Sequence, residues 1–148
     1  MWEHRVIDDF LDEDLYQSVL ELDDIESIRQ QLHDRLDDKI YEILKNDRIY
    51  AGRYFKANSI RYRLNHWTAG SSYPFHPDCD SKMMSIVIYI GDDNIGLIKS
   101  IDEHGSEVEE VEWKANRAIV FFPERNTWHK VETYKDKDRR TLCVFVAK

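Results

Sequence analysis

The apolar residues of this sequence change their spacing once, near Asn46. Before that point they recur every three or four positions, which predicts one face of an amphipathic helix. The positions are Ile25, Ile28, Leu32, Leu36, Ile40, Ile43 and Leu44. Asp12, followed by two more acidic residues, predicts the start of an earlier helix, because carboxylates are favourable at the positive end of a helix dipole. The part of the chain from about residue 12 to 46 is therefore expected to be helical.

After Asn46 the sequence consists of short strand-like segments separated by turns rich in glycine, aspartate and asparagine. The segments are 54–55, 59–67, 82–90, 96–101, 108–113, 117–122 and 141–146. Helices followed by many short strands predict a mainly β protein, in which an antiparallel double sheet carries the helices on one face. With 148 residues and no repeat or linker, we expect a single domain over 1–148, with its strand core at about 54–148.

Charge and composition narrow the possible partners and the compartment. A net charge of −8 opposes binding to a phosphate backbone, so nucleic acid is a disfavoured partner. No apolar run is long enough to cross a membrane, and the acidic N-terminal segment is unlike a signal peptide. Cys79 and Cys143 form no disulfide or zinc pattern. A soluble, cytoplasmic protein is expected.

His76 and Asp78 are separated by one residue at the mouth of a strand. Positions i and i+2 of a strand lie on one face, so both side chains can reach a single metal ion. By itself the pair is weak evidence, because a histidine and an aspartate at this spacing also occur as a hydrogen-bonded pair in a turn.

His129 follows the strongly apolar segment 118–122 and a proline-containing turn. Two histidines and one carboxylate on one face of an octahedral ion leave three positions open, as in non-haem iron(II) oxygenases. A closed structural zinc site leaves none. His76, Asp78 and His129 are therefore candidate iron ligands and catalytic residues.

Arg139 stands ten positions after His129 in the sequence, at the start of the last strand. A guanidinium inside a narrow barrel needs a carboxylate partner, which its planar fork can bind at two points. Arg139 could thus hold the far end of a dicarboxylic co-substrate. The neighbouring Arg140 is expected to be a solvated surface charge.

Together these motifs resemble the 2-oxoglutarate and iron(II)-dependent oxygenases, particularly the prolyl 4-hydroxylase-like branch. Residues 67–78 are similar to that branch's lead into its H-x-D motif, and 84–90 and 116–122 resemble two of its core strands. Residues 139–141 resemble its R-x-S pattern, and 6–11 resemble its first strand. The likeness covers nearly the whole chain and implies a double-stranded β-helix, or jelly roll.

The resemblance also implies a function and further site residues. The expected reaction is hydroxylation of a C–H bond with iron(II), 2-oxoglutarate and dioxygen, releasing succinate and carbon dioxide, with ascorbate as reductant. Arg139 and Thr141 would hold the co-substrate, and Tyr73, Tyr89 and Trp67 are candidates for its pocket, each weighed against plain packing. For His66, beside Trp67, a core position is favoured over ligation.

The substrate does not follow from the resemblance. Many relatives carry a Gly-Gly-Glu/Thr segment where this chain has residues 94–99, and that segment shapes the substrate side of the pocket. A peptide or protein with a proline at the reacting position is the first expectation, and a small metabolite is the second. A barrel that binds or supports without turnover is the alternative from another class. The oligomeric state stays open.

Overall fold

The computed structural model describes residues 1–46, 59–78 and 81–147. Its helices are α1 (Glu13–Leu20) and α2 (Arg29–Lys45), joined through a 3₁₀ turn at Glu26–Ile28. Its strands are β1 (Arg5–Ile7), β2 (Ser59–Trp67), β3 (Ser72–His76), β4 (Lys82–Ile90), β5 (Leu97–Ser100), β6 (Val108–Val111), β7 (Ala118–Phe121), β8 (His129–Glu132) and β9 (Arg139–Ala147). The strand expected at 54–55 lies outside the described residues.

The strands form two sheets in which every neighbouring pair is antiparallel. The larger sheet has the order β1-β7-β4-β9-β2, and the smaller sheet has the order β3-β8-β5-β6. The expectation of a mainly β protein with an antiparallel double sheet is confirmed. None of the helices in the described ranges is both long and apolar enough to span a bilayer.

Both helices pack against the larger sheet, α1 over β4 and α2 over β2. The buried residues of α2 are Leu32, Leu36, Ile40 and Leu44, all from the apolar stripe of the sequence. They join one core cluster with sheet residues such as Ile86, Ile88 and Val144. Burial of each large aliphatic side chain contributes about 1.5–3 kcal/mol, so this interface holds the helices on the sheet.

The opposite face of the larger sheet points toward the smaller sheet. Along β9 the side chains alternate: Leu142, Val144 and Val146 belong to the core under the helices, whereas Arg139, Thr141, Cys143 and Phe145 line a cavity between the sheets. A strand places successive side chains on opposite faces, so one strand can serve both the core and the site.

Two strands of the smaller sheet, β3 and β8, were not predicted as strands. β3 contains Pro74, and β8 covers only four residues. Proline has no backbone N–H to donate to a neighbouring strand. It is tolerated in β3 because β3 is the edge strand of its sheet. This edge pair carries the two histidines of the candidate site, because His76 pairs with His129.

Candidate metal centre

His76, Asp78 and His129 each bring one ligand atom within 4.8 Å of the other two. Nε2 of His129 lies 3.7 Å from Oδ1 of Asp78, and Nε2 of His76 lies 4.0 Å from the same oxygen. Two ligand atoms about 2.1 Å from one ion lie at most about 4.2 Å apart, so these separations are within reach of shared coordination.

Hydrogen bonds to the backbone orient both imidazole rings. Nδ1 of His76 lies 3.0 Å from the carbonyl oxygen of Pro74, and Nδ1 of His129 lies 2.7 Å from that of Thr127. A carbonyl only accepts hydrogen bonds, so each Nδ1 must carry the proton and donate it. In the neutral form of each ring the lone pair is therefore on Nε2, the atom that faces Asp78, and this is the form that a metal ion binds.

Burial favours the neutral form of His129. The ring is 6% exposed, and its removal from water lowers the pKa of His129 below the usual 6.5, against the opposing charge of Asp78. A neutral His129 can offer its lone pair near neutral pH without first losing a proton.

Asp78 is held by two side chains that the sequence motifs did not single out. The Ser85 hydroxyl donates to Oδ2 of Asp78 at 2.9 Å, and Nζ of Lys82 lies 3.4 Å from Oδ1. Both residues belong to β4, but strict alternation would place positions 82 and 85 on opposite faces, and the pairing of β4 is irregular between Lys82 and Met84. Oδ1 of Asp78 is the oxygen nearest both histidines. Because Ser85 binds Oδ2, it orients the carboxylate without occupying Oδ1.

A cavity of about 370 Å³ lies beside these three residues, between the two sheets. Seven of the eight residues that the sequence nominated line it: His76, Asp78, His129, Arg139, Thr141, Tyr73 and Trp67. Tyr89 is not among the lining residues. His66, the neighbour of Trp67, is exposed and lies 2.7 Å from Asp138, so it is neither a core residue nor a ligand.

Arg139 is a buried cation with an unsatisfied donor. It is 1% exposed, and its Nε donates to the carbonyl oxygen of Ile95 at 2.9 Å. Its Nη2 has no hydrogen-bond partner among the described residues. Burial also lowers the pKa of Arg139 from its usual value, which reflects the unfavourable desolvation of this charge. An unpaired buried guanidinium is costly unless an anion binds to it.

The surroundings of Arg139 fix its orientation. Its guanidinium lies over the ring of Trp113, 5.4 Å from the centroid, and the segment that carries Ile95 is held by Asn94, whose side chain donates to the carbonyls of Lys137 and Asp138. Gly96 is required here, since a Cβ at this position would lie 1.9 Å from the carbonyl oxygen of Val111.

Tyr89 lies behind Arg139 in the core and not in the cavity. Its hydroxyl donates to the carbonyl oxygen of Val111 at 2.6 Å and accepts from the backbone N–H of Leu97 at 2.8 Å. The ring stacks on Trp113, with 4.2 Å between the centroids. Burial raises the pKa of Tyr89 well above its usual value. With both hydrogen bonds made, the hydroxyl has no donor left for a ligand.

Trp67, Tyr73 and Thr141 complete the polar lining that the sequence nominated. Nε1 of Trp67 is buried and has no partner among the described residues. Tyr73 is 45% exposed, and its ring meets His76 edge-on at 4.7 Å between centroids. Thr141 is buried, and its hydroxyl lies 3.6 Å from Sγ of Cys143.

These observations allow a test of whether iron(II) and 2-oxoglutarate fit the site. Two imidazole Nε2 lone pairs and a carboxylate converge within a few ångströms, which is the donor set of a non-haem iron(II) centre. The unpaired Nη2 of Arg139 is a donor that the carboxylate of a ligand in the same cavity would accept from. The residues present fit both groups.

Solved structures with a similar fold include prolyl hydroxylases. A prolyl-4-hydroxylase from Pseudomonas putida superposes with a TM-score of 0.64 at 15% identity, covering 98% of this chain and 92% of its own. The viral collagen prolyl hydroxylase of Paramecium bursaria Chlorella virus-1, in its 2-oxoglutarate complex, gives 0.63 at 14% identity, covering 97% and 94%.

A third similar structure is a Trichoplax adhaerens prolyl hydroxylase in complex with a peptide from hypoxia inducible factor. It superposes with a TM-score of 0.59 at 14% identity, covering 97% of this chain and 83% of its own. No protein-family model and no curated protein sequence matches the chain. At these identities the likeness is one of fold: the chain has the fold of the prolyl 4-hydroxylase-like oxygenases, as its motifs predicted.

Proposed function

We propose that this chain is an iron(II)- and 2-oxoglutarate-dependent dioxygenase that hydroxylates a C–H bond and releases succinate and carbon dioxide. One observation supports this above all others: a two-histidine, one-carboxylate cluster shares a single cavity with a buried arginine that has an unpaired donor. A structural zinc site would use a closed set of four ligands and no buried cation. A barrel without turnover would be more stable without the unpaired guanidinium.

His76, Asp78 and His129 would hold the metal. When bound, iron(II) and 2-oxoglutarate together supply the activation of dioxygen that no side chain of the chain can provide. The protein's own part is orientation. The carbonyls of Pro74 and Thr127 keep the two imidazoles in the tautomer that binds a metal, and Ser85 holds Oδ2 of Asp78 so that Oδ1 stays toward them.

Arg139 and Thr141 would bind the carboxylate of 2-oxoglutarate that is remote from the metal. Nη2 of Arg139 is the free donor, and the Thr141 hydroxyl lies two residues along the same strand, on the same face. We assign Trp67, with its unpaired Nε1, and Tyr73 to the pocket wall. Tyr89 would act behind this pocket, by supporting Trp113 under the guanidinium.

We interpret the two antiparallel sheets as a double-stranded β-helix and residues 1–148 as one oxygenase domain, acting in the cytoplasm with ascorbate as reductant. The candidate substrate is a peptidyl proline, supported by the prolyl hydroxylases that share the fold. A small metabolite is the alternative, favoured by a cavity of about 370 Å³, which is enough for the co-substrate and one small group.

The test is succinate release from 2-oxoglutarate by the purified protein with iron(II), ascorbate and air, with no substrate added. Oxygenases of this kind consume some co-substrate without a substrate, so we expect slow succinate formation that stops when iron(II) is chelated. Arg139→Met should remove it as well. A protein that binds iron(II) but forms no succinate, alone or with proline-containing peptides and small acids, would contradict the proposal and favour the binding module.

A further inference from the structure

The cavity contains more positive charge than the proposed reaction uses. Its described lining residues include three cations, Arg63, Lys82 and Arg139, and one acid, Asp78. The chain as a whole has a net charge of −8. A positive cavity in a negatively charged protein is a local arrangement that composition does not explain.

The three cations lie beside different positions of strand β9, Arg139 in β9 itself, Arg63 in β2 and Lys82 in β4. Arg139 begins the strand and is paired with Trp67. Arg63 pairs with Cys143, four residues further on, and Nζ of Lys82 lies over the ring of Phe145 at 3.8 Å from its centroid. At about 3.3 Å per residue, Arg63 is displaced from Arg139 by roughly 13 Å along the strand. Arg63 and Lys82 therefore form a second positive end of the cavity.

The co-substrate and the metal do not neutralise this second end. The two carboxylates of 2-oxoglutarate and the carboxylate of Asp78 carry three negative charges. A divalent ion and Arg139 carry three positive charges. Within the described residues Arg63 has no acidic partner, and the only acid beside Lys82 is Asp78, whose charge the ion would share. The loaded cavity would thus keep the charges of Arg63 and Lys82 for another molecule.

We propose that the substrate of this site carries a carboxylate, which Arg63 and Lys82 bind at the end of the cavity remote from Arg139. This inference rests on the proposed function, because the second positive end is defined with metal and 2-oxoglutarate in place. The Lys82 side chain is 22% exposed and packed on Phe145, so its ammonium is held at the cavity. Arg63 is exposed and supplies the second donor at the mouth.

A carboxylate could come from a free organic acid or from an aspartate or glutamate of a peptide. The shared chemistry is the carboxylate, and the two sources can be separated with small probes. Propionate and propionamide have the same shape and differ in charge. A blocked tripeptide with a central aspartate, and its asparagine counterpart, present the same comparison within a peptide backbone.

The measurement is proton relaxation of each probe in solution with the protein, saturating 2-oxoglutarate and manganese(II) below the protein concentration. The paramagnetic ion at the triad broadens the signals of a molecule bound in the cavity. We expect stronger relaxation for propionate than for propionamide, or for the aspartate tripeptide than for its asparagine form if the source is a peptide. Equal relaxation within both pairs would overturn the inference.

Substitutions assign the effect to residues. Arg63→Gln should weaken binding of the preferred acid by about threefold, as expected for an exposed charge, and Lys82→Gln by about tenfold, as expected for a packed one. Arg61→Gln is the matched control, because Arg61 is exposed on the same strand but does not line the cavity. Electron paramagnetic resonance of bound manganese checks that each variant still holds the ion, since Lys82 contacts Asp78.

Failure of this inference can be distinguished from failure of the proposed function. An acid preference that is unchanged in Arg63→Gln and Lys82→Gln, in protein that forms succinate from 2-oxoglutarate, would remove the inference and leave the oxygenase. An acid preference that both substitutions reduce, in protein that never forms succinate, would retain the anion site and remove the oxygenase.

Discussion

Each histidine of the candidate centre donates through Nδ1 to the carbonyl two residues before it, His76 to Pro74 and His129 to Thr127. The same local geometry at two points of the chain leaves Nε2 as the lone-pair atom in both rings. Neither ring needs a distant partner to set its tautomer. Residues that open or close a short strand can therefore be preorganised as ligands by their own backbone.

The first prediction concerns the three ligands. His76→Ala, Asp78→Ala and His129→Ala should each weaken iron(II) binding by roughly a hundredfold or more, since even partners of the ligands contribute tenfold to a hundredfold. The sheets should remain, because the site is built on strands that pair without it. Anaerobic calorimetric titration measures the affinity, and circular dichroism checks the fold.

His104→Ala is the control for this series, because His104 is an exposed histidine far from Asp78 in the sequence, and its ring lies 3.4 Å from the carboxylate of Glu103. It should bind iron(II) like the unchanged protein. Unaltered affinity in all three ligand variants would show that the metal, if any, binds elsewhere.

The second prediction separates Arg139 from Arg140. Arg139→Met should weaken 2-oxoglutarate binding by about 2–5 kcal/mol, as for one partner of a buried charge pair. Arg140 faces the other way, and its guanidinium donates to the carbonyl of Leu20, the last residue of α1, and to that of Leu22. Arg140→Met should therefore lower the free energy of unfolding and leave the affinity nearly unchanged.

The two quantities are measured by titration with 2-oxoglutarate in the presence of manganese(II) and by urea denaturation. A larger loss of co-substrate affinity in Arg140→Met than in Arg139→Met would contradict the orientation of β9, in which Arg139 lines the cavity and Arg140 lies on the side of α1. The expectation that Arg140 is merely a solvated charge is wrong, because it ties the end of α1 to the sheet.

At the scale of elements, helix α2 is attached to the larger sheet by polar as well as apolar contacts. The hydroxyl of Tyr62, which is 2% exposed on β2, donates to Oδ1 of Asp37 at 2.6 Å. His33 meets the same carboxylate at 2.9 Å and packs edge-on against the Tyr62 ring. Burial, with the carboxylate nearby, raises the pKa of Tyr62 well above its usual value, so the hydroxyl stays a donor.

The third prediction is that Tyr62→Phe lowers the free energy of unfolding by about 1–2 kcal/mol, because Asp37 loses a donor and the ring itself is kept. Tyr134→Phe is the control, since its hydroxyl makes an exposed contact with Asp93 at 3.3 Å and should contribute little. Urea denaturation of both variants measures the difference. Equal effects would mean that the buried bond does not help to hold α2.

The sequence predicted those elements whose own residues carry a strong period. β2 and β4 begin and end at the predicted residues, and α2 carries the predicted apolar stripe. β3 and β8 were missed because Pro74 interrupts β3 and because Val131 is the one aliphatic residue of β8. Strands like these exist through their partners, and pairing over long sequence separation has no local signal.

The candidate site follows the same division. Its ligands and Arg139 could be nominated from residue type and order, but the contacts of Arg139 with Ile95 and of Tyr89 with Val111 depend on which distant segments of the chain lie side by side. Tyr89 shows the limit most clearly. A tyrosine near a pocket looks the same in sequence whether its hydroxyl meets a ligand or a backbone carbonyl.

At the scale of the whole molecule, the N-terminal segment packs behind the candidate centre. The Trp2 ring lies 5.0 Å from Phe121 and 6.1 Å from His129 between centroids, and its Nε1 donates to the carbonyl oxygen of Trp128. Lys99, which is 2% exposed, lies 2.8 Å from Nδ1 of His4. The attachment of this segment therefore depends on two titratable groups.

Burial, followed by the charge of Lys99, lowers the pKa of His4 below its usual 6.5, against the weaker opposing effect of Glu109. Burial also lowers the pKa of His129. The unfolded chain then takes up protons at a higher pH than the folded one. The stability from these groups is complete above about pH 6.5 and is lost as the pH falls toward their lowered values. Carboxylates whose pKa is lowered, such as Asp8 and Asp138, also stabilise the folded protein, but they lose this contribution only below about pH 4.

The fourth prediction is that the metal-free protein has a lower free energy of unfolding at about pH 5.5 than at about pH 7.5, and that His4→Gln reduces this difference. Glutamine keeps an acceptor for Lys99 and cannot be protonated, so acid no longer sets two cations against each other where the segment docks. His104→Gln, on an exposed turn, should leave the difference unchanged. Urea denaturation at both pH values measures it. An undiminished difference in His4→Gln would assign the acid sensitivity to His129 and leave the N-terminal segment without a part in it.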